Sequence, residues 1–417
     1  MNASTLTHSS TTPAILVIFG LTYLGFAAGR VPGLKLNRTG IVLLGAIAIA
    51  IFSGWPVTTV VGFINWPTIL LLFGFFVISS QLRLSGFFDQ VAGKISVGLG
   101  NPARFLLTLM LVAAGLSAFL NNDIVCFVFA PVVATTLVQR QLNPVPFLVA
   151  LAVASNIGAA ATLVGNPQGM MIAQIAGLGF GHYTLWCIAP VLFALGCAYA
   201  VIWMTCRHNL AFSTPVTVST KPPAHEFNRA HTIKGFIVLG LVIVFFFSSV
   251  PKEIIALTAA GIHLASRKFD TEDLLGLVDW PILIMFMSLF VVTGAFQATG
   301  CGEHAVQWLA HAGLNLNSSS ILAMATAMLS NLIGNSATVM LMLKTVNVAH
   351  PPMAYVLALA NSFGGNLTVL GSVATIIVVQ QARDQGIAIS YRDFARLGVP
   401  VTLAAMAGLL AWVALMT

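Results

Sequence analysis

The chain has 417 residues, of which 58% are hydrophobic and only 7% charged, with a formal net charge of +7 and a mean hydropathy of +0.96. A soluble domain carries about 25% charged residues, so a water-soluble enzyme and a nucleic-acid binder are both excluded, and the class is an all-α polytopic membrane protein. The positive balance then describes loops on the cytoplasmic side, and the five cysteines lack the close spacing of a zinc site or disulfide framework.

Met1 to Thr12 contains no Lys or Arg, so no signal peptide is expected. Apolar runs predict about ten membrane passes, at 13–29, 40–54, 66–82, 147–177, 184–206, 233–249, 252–266, 280–298, 352–382 and 396–416. The passes at 147–177 and 352–382 are broken by polar, Gly-rich stretches. Two more apolar segments, 103–140 and 319–349, are too long for one pass of ~20 residues. Each has a polar break near its middle, Asn121-Asn122-Asp123 in one and Gly334-Asn335-Ser336 in the other. Both read as re-entrant hairpins that enter and leave on one side.

Basic residues test this count. With the N-terminus outside and the hairpins returning, only Lys252 and Lys344 of the 18 Lys and Arg fall outside. The first hairpin then enters from inside and the second from outside, so the halves have inverted topology. Residues 1–206 form one repeat and 233–417 the other. Between them, 207–232 contains Pro215, Pro222 and Pro223 and reads as a cytoplasmic linker. Its His208, His225 and His231 have no ligand spacing. Asn65-Trp66-Pro67 opens one pass and Asp279-Trp280-Pro281 its counterpart, with Asn or Asp suited to the N-cap and Pro to the first turn. The segments 83–101 and 299–317 read as interfacial amphipathic helices.

The two broken passes align without gaps. Residues 154–166 and 360–372 both read Ala, a Ser/Asn pair in either order, an apolar residue, Gly, then Thr-x-x-Gly and a small polar residue. A helix in lipid satisfies its own backbone, so unwinding is tolerated only inside protein or beside a cavity. Paired interruptions in corresponding halves point to a transporter's binding site. A small-residue packing face would account for the Gly and Ala. It leaves Asn156, Asn166, Asn361 and Asn366 unexplained. Thr162, Gly165, Thr368, Gly371 and Ser372 join them as candidates, with Asn331, Asn335 and Ser336 from the second hairpin.

Asn121, Asn122 and Asp123 form the first tip. An ionisable residue at membrane depth is a functional hypothesis by default, although Asp123 has an alternative role as the N-cap of the hairpin's second helix. Ser336 replaces it at the second tip, so any carboxylate-dependent site is asymmetric. Helix N-termini facing one cavity favour an anion. Unwound carbonyls and Asn side chains suit a cation, and Na⁺ near Asn122, Asp123 and Gly165 is the expected metal site. No other cofactor is expected beyond the coupling ion, H⁺ or Na⁺.

These motifs resemble the ion transporter superfamily, in its arsenite permease and NhaD-like antiporter branch, with the divalent anion:sodium symporters more distant. Phe119 to Asp123 with Pro131, Ser155 to Gly158, Leu163 to Pro167, Ser330-Asn331, and Gly364 to Thr368 through Gly371-Ser372 carry the resemblance. It implies a scaffold part, a transport part with two hairpins and two broken helices, and ion-coupled transport. The symporters have Ser-Asn-Thr at both tips; this chain does not.

The expected function is secondary active transport of a small inorganic anion or oxyanion, arsenite-like, coupled to protons or the membrane potential by alternating access. A Na⁺/H⁺ antiporter is the alternative within the class, and an anion channel the alternative outside it. No nucleotide-binding GxxxxGK[ST] motif or nucleophile cluster indicates an enzyme. The expected partners are the oxyanion and the lipid bilayer of the inner membrane, both termini facing outside, with a homodimer as the assembly to test. A cysteine probe at Gly179 is expected to react with impermeant reagent in intact cells, and one at Ser219 is not. Labelling at Ser219 would overturn the topology.

Overall fold

The computed structural model describes residues 12–28, 35–97, 101–207, 226–265, 268–301, 315–348 and 351–416. Most of the linker read at 207–232 and of the interfacial segment read at 299–317 lies outside them. The described elements are helical. In chain order they are α1 (Thr12–Ala28), α2 (Arg38–Phe52), α3 (Val57–Gly62), α4 (Trp66–Leu84), α5 (Phe87–Val97), α6 (Pro102–Phe119) and α7 (Asn122–Gln139). Then come α8 (Val145–Ala159), α9 (Pro167–Ile175), α10 (Phe180–Cys206), α11 (Arg229–Phe245), α12 (Lys252–Leu264), α13 (Thr271–Gly276) and α14 (Trp280–Ala298). The chain closes with α15 (Ser319–Ile333), α16 (Asn335–Thr345), α17 (Pro351–Gly364), a 3-10 turn at Val369–Gly371, α18 (Val373–Asp384) and α19 (Tyr391–Met416).

Side chains set the helix starts. Asn65 accepts a hydrogen bond from the Thr68 N–H at 3.0 Å and Asp279 from the Ile282 N–H at 3.2 Å, as the Trp-Pro pairs suggested. Short helices α3 and α13 precede these two caps and were not expected from hydropathy. Fewer than two turns of sequence cannot show a 3.6-residue period, and each of these helices has only six residues.

Among the described residues, α4, α6, α7, α10, α14 and α19 are long and apolar enough to cross a membrane by length and composition. The apolar helices α1, α2, α8 and α15 are shorter. The broken passes explain part of the shortfall from ten. Helix α8 has 15 residues and α9 has 9, so at ~1.5 Å per residue neither spans alone.

Helix contacts recur in corresponding pairs. Helix α6 packs on α8 and α15 on α17; α4 lies along α12 and α14 along α2; α7 meets α18 and α16 meets α9. With no hydrophobic drive between helices in lipid, close approach depends on small residues. A side-chain carbon at Gly158 would overlap the backbone of Ala114, and one at Gly364 would lie 2.6 Å from the Ala327 Cα. The hairpin's first arm is thus seated directly on the broken helix in each half.

Gly158→Val and Gly364→Val are expected to lower the melting temperature sharply or to abolish the monodisperse detergent-solubilised protein. Overpacking a tight contact costs ~1–3 kcal/mol, and here the obstructing atoms are largely backbone. Gly115→Ala, on the open side of α6, is the matched control, because nothing lies within 4 Å of that position. Equal melting temperatures for all three would show that these contacts do not hold the fold.

Candidate functional site

Of the two unwound stretches, 160–166 between α8 and α9 is buried throughout, and 365–372 between α17 and α18 is buried except at Leu367, Thr368 and Leu370. The second opens at Gly365, because α17 ends at Gly364. Their backbones are satisfied by side chains and turns rather than by helix. In the first, the Asn166 side chain accepts from the Gly169 N–H at 2.6 Å, so Asn166 caps α9. The Gly165 carbonyl accepts from the Asn122 N–H at 3.2 Å. The Thr162 hydroxyl donates to the Ala118 carbonyl. In the second, the Asn331 side chain donates to the Gly364 carbonyl at 2.7 Å and accepts from both the Thr368 N–H, at 3.1 Å, and its hydroxyl, at 2.9 Å. Each hairpin therefore supplies partners to its own unwound stretch, and from outside the hairpins Tyr183 of α10 donates to the Ala160 carbonyl at 2.9 Å.

A chain of three buried amides crosses between the halves. Asn122 donates to Asn156 at 3.1 Å, and Asn156 donates to Asn366 at 2.9 Å. Ser372 donates its hydroxyl to Asn156 at 2.9 Å, and Thr375 lies 3.5 Å from the Asn156 amide nitrogen. Below this, Ser155 donates to the Asn122 carbonyl at 3.2 Å and shares a 2.8 Å contact with Ser117. A second bridge runs from Asn166 to Ser362 at 3.3 Å. In the gapless alignment Asn156 matches Ser362 and Ser372 matches Asn166. The same pair is therefore made twice, with Asn and Ser exchanged.

Sequence reasoning missed Gln168. It is buried in the first turn of α9 and donates to Ser336 at 2.8 Å, joining the first unwound stretch to the second hairpin tip. Its aligned counterpart is Ala374. Ser117, Ser155, Ser362 and Thr375 were also missed as individual candidates. Single polar residues in apolar helices look alike until the packing shows which of them meet.

The candidates fall into separate groups. Asn122, Asn156, Gly165, Asn366 and Ser372 share the central network, while Asn331 and Thr368 form a second cluster beside it. Thr162 is tied to its own hairpin. A carbon at Gly371 would meet Asn331 and the Gly365 carbonyl, and one at Gly365 would meet Asn335 at 2.9 Å. Asn361 is buried with its amide oxygen unpartnered, as are the oxygens of Asn122 and Asn335 and the nitrogen of Asn366. Buried amide groups without partners are costly, and clusters of them mark places where a ligand or water completes the set.

The alternative cap role for Asp123 is corrected here. Asn121 is the N-cap of α7, and its side chain accepts from the Asp123 N–H at 2.9 Å. Asp123 occupies the first turn, buried, and among the described residues no cationic group pairs with it. Among the described residues no group of three or more His, Cys, Asp or Glu gathers to hold a metal ion. A Na⁺ at the first tip would therefore rest on amide, hydroxyl and backbone oxygens together with this one carboxylate.

Comparison with known proteins places this geometry among transporters. Residues 14–355 match the family model described as CitMHS, citrate transporter. The chain is 30% identical to an uncharacterised transporter of Mycobacterium bovis, over 94% of this chain and 95% of the relative. It is 26% identical to the silicon efflux transporter LSI3 of Oryza sativa subsp. japonica, over 88% of this chain and 90% of that one. The crystal structure of the YdaH transporter of Alcanivorax borkumensis superposes with a TM-score of 0.63 over 97% of this chain and 98% of that one, at 14% identity, and so shares the fold.

Asn156→Leu removes the centre of the amide chain and strands Asn122, Asn366 and Ser372. Each stranded buried group costs ~1–3 kcal/mol. Loss of transport in proteoliposomes with a measurable fall in melting temperature is expected, and Asn156→Gln should recover part of both. Wild-type transport by Asn156→Leu would reduce this network to packing.

Proposed function

The chain belongs to the CitMHS citrate transporter family, and on that premise we propose that it is a secondary active transporter of a small inorganic oxyanion, with arsenite as the model substrate. Movement is coupled to protons or the membrane potential by alternating access. The observation that carries this reading is the twice-made Asn–Ser bridge, each from the end of one unwound stretch to the helix that precedes the other, with unpartnered amide atoms around it. Unwound backbone at such depth is tolerated beside a substrate path. Amide nitrogens and oxygens together suit a ligand whose hydroxyl groups both donate and accept hydrogen bonds, as those of a protonated oxyanion do.

The repeats at 1–206 and 233–417 have opposite topology in this reading, with both termini outside, in the inner membrane, and two copies in the working assembly. The recurrence of corresponding helix contacts supports it. So does the depth of the first tip. Asn122 bonds to Gly165 in the break of a pass that needs both α8 and α9 to cross. A tip held there lies part-way through the membrane, which is where a re-entrant hairpin turns. The helix pair α6 and α7 then returns to its side of entry despite arms of 18 residues each.

Asp123 favours a second reading, Na⁺/H⁺ exchange on the same fold. Its carboxylate, Asn122 and the Gly165 carbonyl form the proposed place for the coupling ion. A lone carboxylate at this depth is expensive when ionised, so proton uptake or a bound Na⁺ would relieve it.

Uptake by purified protein in proteoliposomes, under separate proton, Na⁺ and voltage gradients, tests both. Saturable, gradient-driven movement of arsenite or another oxyanion supports the first reading. Na⁺/H⁺ exchange without oxyanion movement supports the second. Asp123→Asn keeps size and removes titration, so it is expected to lose gradient-driven accumulation while retaining exchange across the membrane. Unaltered pH dependence in Asp123→Asn would remove this residue from coupling.

A further inference from the structure

The two hairpin tips differ electrically. At the first, Asn121 caps α7 and Asp123 places a carboxylate in its first turn. At the second, Gly334 takes φ +77°, and the eleven-residue α16 begins with no side-chain cap. Such an end presents free N–H groups and about half a positive charge. In the first turn of α16 the Asn335 amide oxygen and the Thr338 hydroxyl are buried and unpartnered.

A guanidinium lies against this tip. A carbon added at Gly334 would stand 3.6 Å from an Arg38 Nη and 3.1 Å from the Phe26 ring. Arg38 is the first residue of α2 and is half-buried, its guanidinium carbon 5.4 Å from the centre of the Phe26 ring. Among the described residues it has no carboxylate partner and no hydrogen-bond acceptor, and the titratable group in its field is the Tyr391 phenol. The contrast with the other half is informative. Lys252, the first residue of α12, donates its ammonium to the Leu178 carbonyl. The Phe26 ring face compensates part of the Arg38 charge, and among the described residues no counter-ion or acceptor supplies the rest. A guanidinium also presents a planar fork that matches two oxygens of one oxyanion.

We infer that Arg38 is a specificity-determining residue that binds the oxyanion at the second hairpin tip, with the uncapped start of α16 supplying backbone N–H groups to the same ligand. The second tip is then the anion seat, and the first tip, with Asp123, serves the coupling cation. Gln168 reaches this seat through Ser336 and ties it to the first half. This assignment deepens the oxyanion-transport reading and rests on it.

The test uses the full-length protein in proteoliposomes, with arsenate, phosphate, citrate and arsenite as probes at neutral pH. Arg38→Gln is expected to raise KM for arsenate by about tenfold or more, the size of one lost charge-assisted contact, with the maximal rate held within about twofold. Arsenite, which is mostly protonated at neutral pH, should be affected less than arsenate. Arg38→Lys should recover part of the affinity, since it restores the charge without the fork. Equal KM values in Arg38→Gln and wild type overturn the inference and leave oxyanion transport standing. Equal losses for arsenate and arsenite, with a lowered melting temperature, assign Arg38 to structure and also overturn it. If Arg38→Gln does not insert, an unchanged arsenate KM in Arg38→Lys overturns the fork. Na⁺/H⁺ exchange by wild type with none of the four anions moved overturns both the inference and the reading beneath it.

Discussion

Unpaired backbone in a lipid-embedded protein is the constraint around which this molecule is arranged. Two passes give up their helices in the interior, and every exposed N–H and C=O must then find a partner without water. The hairpins supply several of them, the Asn122 N–H for the first stretch and the Asn331 side chain for the second, and Tyr183 of α10 adds another at Ala160. A hairpin displaced from its broken helix would strand these groups at ~1–3 kcal/mol each. The hairpin and the broken helix of a half are therefore expected to move as one piece.

The Gly–Ala contacts make that piece compact. Gly158 on Ala114 and Gly364 on Ala327 bring two backbones together at aligned positions of the two halves. Close approach is what lets short side chains such as Ser117 and Ser155 touch across helices. Elsewhere, Gly74 admits the Ala256 backbone, so α4 and α12 form a similarly tight contact. Small residues set the distances, and the polar residues then fall within hydrogen-bond range.

Near-symmetry at the centre makes its exceptions informative. Asn and Ser exchange places across the two bridges, so the geometry is preserved while identities differ. Gln168 finds Ser336, but its counterpart Ala374 can offer nothing to Asp123. The first tip carries a carboxylate, Asp123, and a guanidinium, that of Arg38, lies beside the second.

Much of this was legible in the chain itself. Low charge and long apolar runs determine a helical membrane protein, because charged groups are excluded from lipid. Polar interruptions at 121–123, 162–167, 334–336 and near 368 marked the breaks, since no other reason puts several Asn residues inside apolar runs. Asn65 and Asp279 were readable as caps because capping depends on only a few neighbouring residues. Partner choice was not readable. Asn156 meets Asn366 across 210 positions, and Gln168 meets Ser336 across 168. Asn121 rather than Asp123 caps α7 because the helix begins two residues earlier than a cap at Asp123 requires. Arg38 counted in the sequence only as one more basic residue at a membrane edge. Its place beside Gly334 depends on how α2 packs against the second hairpin, and side chains brought together by helix packing leave no local period or motif behind.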